Sequence, residues 1–309
     1  MKILITGGAG YIGSKLVPAL LKKNYNVTVI DNYFFNQKSL KSLNNKNLQL
    51  IEDDVRNFER HREIIKKQDF IIPLAALVGA PLCDKFPKDT KEINELYIKQ
   101  LSNFVDEHVK IIMPTTNSGY GVAKKENICT ENSPLNPISL YGVTKVNAEK
   151  IIMNRENSIS LRLATVFGYS ERMRLDLLVN TFAYKAIKDK KIEIFEGKFK
   201  RNFIYIDDVI NIFIYCIENF EKLKSNIYNF GIEGANLTKI ELVKVIKKFV
   251  PDFEYVINEF SDDPDKRDYI VSNKKILETG FNFSWDLESA VKQLISDLKK
   301  LPPGNYSNI

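Results

Sequence analysis

Short β-rich runs alternate with longer helical stretches through the first half of the chain. The runs predicted as strands are 2–6, 26–30, 47–51, 69–74, 109–114 and 158–163, and the predicted helices are 11–23, 57–67, 89–107 and 139–156. Strands interleaved with helices of this length indicate βαβ units. The predicted fold class is therefore α/β with a doubly wound parallel sheet, and ligands are expected beyond the carboxyl ends of its strands.

After Gly168 the alternation loosens. Helical segments near 175–189, 207–221, 238–249 and 286–300 are predicted, together with short strands at 192–196, 203–206 and 227–230. We interpret residues 169–309 as a smaller mixed α/β domain and residues 1–168 as the domain with the large sheet, with part of 203–230 packing back on the first. The tail Pro302-Pro303-Gly304-Asn305 is expected to fray.

Composition narrows the class of protein. Apolar residues make up 44% of the 309 residues, charged residues make up 27%, and the net charge is +6, which is ordinary for a soluble globular protein. No apolar stretch approaches the roughly 20 residues needed to cross a bilayer, so we expect a cytoplasmic protein without a membrane partner. The three separated cysteines and two histidines predict no metal site, and the dispersed lysines predict no nucleic-acid partner.

A glycine-rich turn follows the first predicted strand. Glycines at Gly7, Gly10 and Gly13 stand at i, i+3 and i+6, with Tyr11 and Ile12 between the last two. Glycine permits a tight turn and a close backbone approach, and a pyrophosphate could then bind the exposed N–H groups at the start of the following helix. A plain strand-turn-helix is the alternative.

An acidic residue ends the second predicted strand. A carboxylate at Asp31 would accept hydrogen bonds from the adenosine ribose and repel a 2′-phosphate, so NAD is predicted rather than NADP. Its neighbour Asn32 is assigned to the same cofactor site. The alternative for Asp31 is a solvated loop residue.

Tyr141 and Lys145 are spaced i, i+4 in a predicted helix. Their side chains share one helix face, where the ammonium can stabilise the phenolate and make Tyr141 a base near neutral pH. An exposed Tyr/Lys pair on an ordinary helix is the alternative, and the glycine turn earlier in the chain argues against it.

With these motifs assembled, the chain resembles the extended short-chain dehydrogenases/reductases, in particular the NAD-dependent nucleotide-sugar epimerase/dehydratase family with its Rossmann-type sheet. The resemblance covers nearly all of the chain. It assigns further cofactor contacts to Asp54 and Val55, and to the stretch Leu74, Ala75 and Ala76.

The same resemblance gives the catalytic set Thr116, Tyr141 and Lys145. Tyr141 would take the proton of a sugar hydroxyl, Lys145 would stabilise the phenolate and hold the nicotinamide ribose, and Thr116 would hydrogen-bond the reacting oxygen. Taken alone, Thr116 could merely cap a turn.

The resemblance also implies a substrate site. Arg201 and Arg267 correspond to arginines that contact the nucleotide diphosphate in relatives, and a guanidinium fork suits that ligand; solvated surface arginines are the alternative. The remaining substrate-binding assignments are Val78, Asn117, Ser118, Thr165, Arg174 and Asn180.

Two departures from the commoner family pattern narrow the reaction. Sugar-nucleotide 4,6-dehydratases carry an acidic pair where this chain has Asn117 and Ser118, which do not titrate usefully, so dehydration is not expected. Thr165 replaces a usual asparagine, which changes the expected shape of the sugar pocket.

Several runs resemble the GDP-heptose 4-dehydrogenases of capsular heptose pathways: 73–83, 116–121, 172–180 and 263–269. This subgroup implies oxidation of GDP-D-glycero-α-D-manno-heptose at C4, with 2-oxoglutarate as a possible oxidant of the retained cofactor, and relatives commonly form homodimers through helices such as 89–107 and 139–156. A nucleotide-sugar 4-epimerase is the rival enzyme, and a non-catalytic NAD(H)-sensing protein is the alternative from another class.

Overall fold

The computed structural model describes residues 1–36, 39–122, 128–258 and 268–308. Its strands are β1 (Lys2–Thr6), β2 (Asn26–Asp31), β3 (Leu48–Glu52), β4 (Phe70–Pro73), β5 (Lys110–Thr116), β6 (Ile128–Cys129), β7 (Ser158–Leu163), β8 (Thr165–Phe167), β9 (Lys191–Phe195), β10 (Lys200–Tyr205), β11 (Asn226–Phe230), β12 (Asn236–Thr238), β13 (Glu254–Asn258) and β14 (Ile270–Val271).

Its helices are α1 (Gly13–Lys22), α2 (Phe58–Ile65), α3 (Ala80–Lys85), α4 (Pro87–Lys91), α5 (Tyr97–Phe104), α6 (Leu140–Ile152), α7 (Leu178–Lys188), α8 (Ile206–Glu218), α9 (Phe220–Leu223), α10 (Lys239–Lys247), α11 (Lys274–Leu277) and α12 (Leu287–Leu298). A π-helical turn, Glu92–Leu96, joins α4 to α5, and a 3₁₀ turn, Asn117–Tyr120, follows β5.

Seven parallel strands form the large sheet in the order β11-β7-β5-β4-β1-β2-β3. The chain builds outward from β1 through β2 to β3, and then returns to β4 on the other side of β1. The strand order therefore reverses between β1 and β4, and the crevice at this switch point lies at the carboxyl ends of both strands. The predicted α/β fold with a doubly wound parallel sheet is confirmed.

The sheet is buried on both faces because its strands alternate between two hydrophobic clusters. Ile3 and Ile5 of β1 pack in one cluster with α1, whereas Leu4 packs in the other with residues of α5 and α6. Successive residues of a strand point to opposite faces, so three apolar residues in a row serve both layers. This explains why the strand runs are continuously apolar rather than alternating.

Elements from the second half of the chain pack against those of the first half. β11 pairs with β7 at the edge of the large sheet, and α8 packs against α1. The remaining strands form small sheets, β12-β10-β8, β13-β9 and β14-β6, while α7, α10 and α12 pack together. A division into domains at residue 168 stays a prediction, and in the structure β11 completes the first half's sheet.

One prediction made from local pattern is corrected. The helix predicted over 89–107 is interrupted by the π turn, in which the buried amide of Asn94 accepts from the Leu77 N–H and donates to the Leu77 carbonyl, both at 2.9 Å. A π turn inserts an extra residue per turn and often occurs at functional sites. Here it places Asn94 against the loop that follows β4.

The chain is docked beyond the residues that are predicted to fray. Residues 302–305 are exposed, but the chain beyond them is docked: the Leu175 N–H donates to the Tyr306 carbonyl at 2.7 Å, and the Tyr306 ring packs against the core. The Asn308 N–H donates to Asp176 Oδ1 at 3.3 Å. The chain is therefore held in place at residues 306–308, and the fraying of residues 302–305 stays a prediction.

Candidate active site

A cavity of about 530 Å³ opens at the switch point of the large sheet. This volume is within the range of sites that hold nucleotide-sized ligands. We call its lining residues between Gly7 and Lys145 the first-half wall and those between Leu163 and Asn308 the second-half wall. The first-half wall includes these predicted site residues: Gly7, Gly10, Tyr11, Ile12, Gly13, Asp31, Asn32, Asp54, Val55, Leu74, Ala75, Ala76, Val78, Thr116, Ser118, Tyr141 and Lys145.

The glycine turn of the first-half wall fits closely against its surroundings. Gly7 has φ +69°, and a Cβ there would lie 2.5 Å from the Ala75 nitrogen; a Cβ at Gly13 would lie 2.3 Å from the Gly8 carbonyl oxygen. No larger residue fits at either position. No side chain caps the N-terminus of α1, and its first turn carries no acidic residue. The positive end of the helix dipole is thus open to an anionic ligand.

Carboxylates fix the loops beside this turn. Asp31 accepts from the Ala9 N–H at 2.9 Å and from the Tyr33 N–H at 2.8 Å, which ties the glycine turn to the end of β2. Burial raises the pKa of Asp31, and these two hydrogen bonds act against the rise. Asp31 remains part of the cavity lining, where its remaining acceptor positions suit ribose hydroxyls.

Asp54 and Asn32 meet on the same side of the cavity. Asn32 donates to Asp54 at 2.9 Å, and Arg56 binds both carboxylate oxygens of Asp54 at 2.9 Å. The Arg56 guanidinium, as a hydrogen-bond donor, lowers the pKa of Asp54 to about 2. Asp54 is therefore a fixed anion near neutral pH and can only accept hydrogen bonds.

The first turns of α6 carry Tyr141 and Lys145. Ser139 caps this helix by accepting from the Gly142 N–H at 3.1 Å, which fixes the turn on which Tyr141 lies. Both side chains line the cavity; Tyr141 is half-buried, whereas Lys145 is only 5% exposed. Burial lowers the pKa of Lys145 to about 8, and the nearby Glu149 carboxylate opposes this shift.

A buried network stands behind Lys145. Glu149, one turn further along α6, forms an ion pair with Arg162 at 2.6 Å and accepts from Thr115 and Ser160 at 2.9 and 2.8 Å. Arg162 also donates to the Tyr120 hydroxyl at 2.9 Å. Each charge in the pair is compensated, so the network holds α6 against β5 and β7 and keeps a negative charge near the Lys145 ammonium.

The segment after β5 corrects one predicted contact. Thr116 donates to the Ser118 hydroxyl at 2.9 Å and accepts from the Ser118 N–H at 3.1 Å, so it does cap the 3₁₀ turn, and it also lines the cavity. Ser118 lines the cavity as well. Asn117, predicted to bind substrate, is not on the wall: it is 1% exposed, and neither of its amide atoms has a hydrogen-bond partner.

The second-half wall carries the remaining predicted substrate residues. Thr165 and Arg201 line the cavity, and Arg174 lines it while paired with Asp176. Arg267 lies outside the described residues. Arg201 is 2% exposed and is therefore not a solvated surface arginine.

Asn180 is the second corrected assignment. It is fully buried, and its amide accepts from the Gly168 N–H at 3.0 Å and donates to the Arg174 carbonyl at 2.9 Å. It also donates to the Tyr11 hydroxyl at 3.2 Å, which itself donates to the Gly168 carbonyl at 2.7 Å. With these bonds made inside the protein, Asn180 positions the wall rather than contacting a ligand.

Several cavity residues were missed by the sequence analysis. These residues carry aromatic, charged or amide side chains and had no predicted role at the site: Phe34, Phe35, Arg172, Asp176, Lys239, Tyr269 and Asn308. Arg172 lies in a run that was noticed for its resemblance, and Phe35 follows Asp31 by four positions. Their role at the cavity comes from tertiary contacts, which the local pattern does not contain.

The site therefore joins a dinucleotide-type glycine turn to a tyrosine and a lysine on one cavity, which defines an oxidoreductase-type nucleotide-binding protein. A family model described as the NAD dependent epimerase/dehydratase family matches residues 3–231. The chain belongs to this family, and NAD is its cofactor.

Individual relatives agree with the family. UDP-glucuronic acid decarboxylase 4 of Arabidopsis thaliana is 27% identical over 95% of this chain, which spans 66% of that protein. The UDP-glucose 4-epimerase of Thermotoga maritima, solved with UDP-glucose, superposes with a TM-score of 0.84 at 26% identity, covering 97% of this chain and 99% of that one. The UDP-glucuronic acid 4-epimerase of Bacillus cereus, solved with UDP-glucuronic acid and NAD, gives 0.85 at 25% identity with the same coverage.

The chain's own residues fit the cofactor. At Gly7 and Gly13 the glycine turn packs so closely on the protein's own backbone that a Cβ would overlap it, and the open end of α1 suits a pyrophosphate. Among the described residues, no cluster of three or more His, Cys, Asp or Glu side chains could hold a metal ion. Over the same residues, no helix has the length and apolar character that crossing a membrane requires.

Proposed function

We propose that this protein oxidises a nucleotide-linked sugar at C4, with GDP-D-glycero-α-D-manno-heptose as the substrate. The observation that carries the proposal is the placement of Tyr141, Lys145 and Thr116 on one cavity with the glycine turn. A base, a cation beside it and a hydroxyl donor are the groups that alcohol oxidation requires of the protein.

In the proposed reaction, Tyr141 as phenolate removes the proton of the C4 hydroxyl. Thr116 orients the reacting oxygen, and the Lys145 ammonium stabilises the phenolate and binds the nicotinamide ribose. NAD, when bound, accepts the hydride that leaves C4. The oxygen keeps the electron pair of the broken O–H bond and forms the carbonyl, so the product is a 4-keto sugar.

Dehydration is not part of this proposal. Elimination needs a positioned acid and base, and the positions that would supply them carry Asn117 and Ser118. Of these only Ser118 lines the cavity, and a serine hydroxyl does not titrate near neutral pH. Asp176 is a carboxylate on the opposite wall, and it is paired with Arg174.

The substrate assignment rests on the resemblance of the 73–83 and 172–180 runs to GDP-heptose 4-dehydrogenases. Val78, Ser118 and Thr165 would surround the sugar, and Arg174 and Arg201 would bind the diphosphate, for which a guanidinium fork is suited. Arg267 is assigned to the same diphosphate from sequence.

A UDP-sugar 4-epimerase is the second candidate. The named function of structural relatives favours it, since the Thermotoga maritima and Bacillus cereus proteins are both 4-epimerases of UDP-sugars. An epimerase would use the same Tyr141, Lys145 and Thr116 but return hydride to the other face of the ketone. The two candidates differ in their product and in their redox balance.

Release of a 4-keto product leaves NADH in the protein. Sustained oxidation therefore needs exchange of the cofactor or a second oxidant, and we propose 2-oxoglutarate for that role. An epimerase needs neither, because its cofactor is regenerated in every cycle.

Product analysis separates the candidates. The purified protein is incubated with GDP-heptose, and separately with UDP-glucose, each with and without 2-oxoglutarate, and products are reduced with borodeuteride before mass spectrometry and NMR. Deuterium at C4 of the heptose, increased by 2-oxoglutarate, supports the oxidation. An unlabelled C4 epimer supports the epimerase, and a product lighter by about 18 mass units, the mass of water lost in an elimination, contradicts both.

We also propose a homodimer formed through the region of α4, α5 and α6. Leu96, in the π turn between α4 and α5, and Val143, on α6, are 50% and 39% exposed, and we expect a partner subunit to cover them. Light scattering of the protein and of a Leu96→Glu, Val143→Glu variant tests this: we expect a dimeric mass for the first and a monomeric mass for the second. A cytoplasmic location remains a prediction.

A further inference from the structure

Arg172 is a buried cation whose terminal groups have no partner in the protein. It is 3% exposed and lines the cavity, and neither Nη1 nor Nη2 makes a hydrogen bond. A buried guanidinium left without hydrogen bonds is strongly unfavourable, so such groups are normally satisfied by a carboxylate, a carbonyl or a ligand. The cavity is the side from which a ligand can reach it.

The surroundings of Arg172 favour an anion. Its guanidinium lies over the Phe35 ring, 4.5 Å from the centroid, which fixes the plane of the fork. Burial, and next the charge of Arg174, lower the pKa of Arg172 to about 10. Asp31 and Asp176 oppose this shift, but neither accepts a hydrogen bond from the terminal nitrogens. The site therefore offers unused donors on a cationic group.

The position of Arg172 indicates which anion. The segment that carries it is fastened to the glycine turn: the Arg172 N–H donates to Ser14 Oγ at 3.2 Å, and the Ser170 hydroxyl donates to the Tyr11 carbonyl at 2.6 Å. Ser14 belongs to the first turn of α1, and Phe35 follows the end of β2. Ser14 therefore lies beside the N-terminus of α1, where the pyrophosphate of a dinucleotide is expected, and Phe35 lines the cavity next to the end of β2, where its adenosine ribose is expected.

We propose that Arg172 binds the diphosphate of NAD from the second-half wall. The two free Nη groups would donate to phosphate oxygens while the Phe35 ring supports the guanidinium plane. A planar fork is suited to phosphate oxygens, and charge-assisted hydrogen bonds of this kind are the strong ones. The diphosphate would then lie between the open N-terminus of α1 and Arg172. Ser14, in the first turn of α1, and Arg172 are more than 150 positions apart in the chain. This contact does not depend on which sugar is oxidised.

The diphosphate of a nucleotide sugar has the same chemistry and is the competing ligand. Arg172 could serve it instead, because Arg174, assigned to substrate, is close enough to lower the Arg172 pKa. The neighbours in α1 and after β2 favour the cofactor. Separate binding measurements with the two diphosphates distinguish the sources.

The test compares Arg172→Met with Arg62→Met. Arg62 also lies over a phenylalanine, 4.4 Å from the Phe104 centroid, but it is exposed and outside the cavity lining, so it controls for the loss of an arginine stacked on a ring. After removal of co-purified nucleotide, dissociation constants for NADH, ADP-ribose, AMP and GDP are measured by calorimetry. We expect Arg172→Met to weaken the binding of NADH and of ADP-ribose by about 10-fold or more, because a hydrogen bond to a charged group is lost.

The other ligands give the discrimination. AMP lacks the diphosphate, and its affinity should change much less than that of ADP-ribose; GDP affinity should stay within about 2-fold, the scatter allowed for a contact that is not made. Arg62→Met should leave all four constants unchanged. Arg172→Lys, which keeps the charge but loses the fork, should fall between Arg172→Met and the unmodified protein.

Three results would overturn the proposal. NADH and ADP-ribose affinities unchanged in Arg172→Met would mean that the guanidinium does not bind the cofactor. A loss confined to GDP would assign Arg172 to the substrate diphosphate. An equal loss for all four ligands, together with a lower melting temperature of the nucleotide-free Arg172→Met and Arg172→Lys proteins, would mean a structural role. Because turnover of a sugar is not measured, a failed sugar assignment leaves this test intact.

Discussion

The two walls of the cavity are built in different ways. The first-half wall is shaped by backbone at strand ends, with glycines where no side chain fits and with the Asp31 carboxylate fastened by two N–H groups. The second-half wall carries the guanidinium groups of Arg172, Arg174 and Arg201 among apolar residues, and these arginines come from the loop before α7 and from β10. A wall made of backbone suits a ligand that is the same throughout a family, whereas a wall made of side chains can change with the substrate.

Tyr141 acts on the substrate next to the bound cofactor, so its replacement should have the largest effect on turnover. Tyr141→Phe removes the proton acceptor but keeps the ring, so we expect turnover to fall by at least about 10²-fold with NADH binding nearly intact. Steady-state rates on the identified substrate and NADH titration measure the two quantities. Near-normal turnover would exclude the proposed role of Tyr141.

Lys145 is assigned to both catalysis and cofactor binding, so its replacement should affect turnover and NADH affinity together. Lys145→Met is expected to lower turnover and also to weaken NADH about 10-fold or more, because a charge-assisted hydrogen bond is lost. The exposed neighbour Lys150→Met is the matched control on the same helix. A variant with reduced turnover but unchanged NADH affinity would limit Lys145 to the chemical step.

The same lysine gives a pH signature in the cofactor-free protein. Burial lowers the pKa of Lys145 to about 8, so between about pH 8 and its ordinary value near 10.5 the unfolded state binds more protons than the folded state. The free energy of unfolding should therefore rise with pH across this window. Below the window Lys145 is protonated in both states, and the full cost of burying its charge is present. The melting temperature of Lys145→Met relative to the unmodified protein should be higher at pH 7 and converge towards pH 10.5. A difference independent of pH would contradict this.

Asp31 tests the selectivity of the first-half wall. Asp31→Ala removes the negative charge that disfavours a 2′-phosphate, so the preference for NADH over NADPH should fall by about 10-fold, which corresponds to about 1.4 kcal/mol. The two dissociation constants, measured on the same preparation, check it. Equal or tighter NADPH binding by the unmodified protein would show that Asp31 does not select the cofactor.

Replacement of Asn308 should have the smallest effect, and it should change substrate binding without changing cofactor binding. Its Oδ1 is buried without a partner, and its backbone is fastened to Asp176 on the second-half wall. Asn308→Ala is expected to raise the substrate KM by about 2- to 10-fold, the value of one neutral hydrogen bond, and to leave NADH affinity unchanged. Lys300→Ala, exposed and away from the cavity, is the control. Loss of NADH affinity instead would place the tail on the cofactor side.

Most of the first-half wall could be predicted from the sequence, because the residue patterns that form it are local. Glycine spacing at Gly7, Gly10 and Gly13 and the i, i+4 spacing of Tyr141 and Lys145 act within one turn or one helix, and the strand lengths follow from continuous apolar runs. The alternation of these runs also sufficed for the parallel sheet, whose strands are buried on both faces.

The second-half wall could not be predicted in the same way. Whether Asn180 binds a ligand or its own protein depends on Tyr11, 169 positions away, and the docking of Tyr306 depends on Leu175. Asn117 and Ser118 are adjacent in sequence, and only the geometry of the 3₁₀ turn decides which of them lines the cavity. Such contacts are set by tertiary packing, and no local spacing encodes them.

The docked tail has a consequence for how ligand binding could be observed. The Leu175 amide is protected by the Tyr306 carbonyl, and the Asn308 amide by a carboxylate of the second-half wall. Any ligand that binds this wall more tightly when the tail is docked must, by thermodynamic reciprocity, hold the tail down with the same coupling free energy. The hydrogen-exchange rates of these two amides should therefore slow on substrate binding, and they would act as a built-in reporter of occupancy that requires neither catalysis nor an added label.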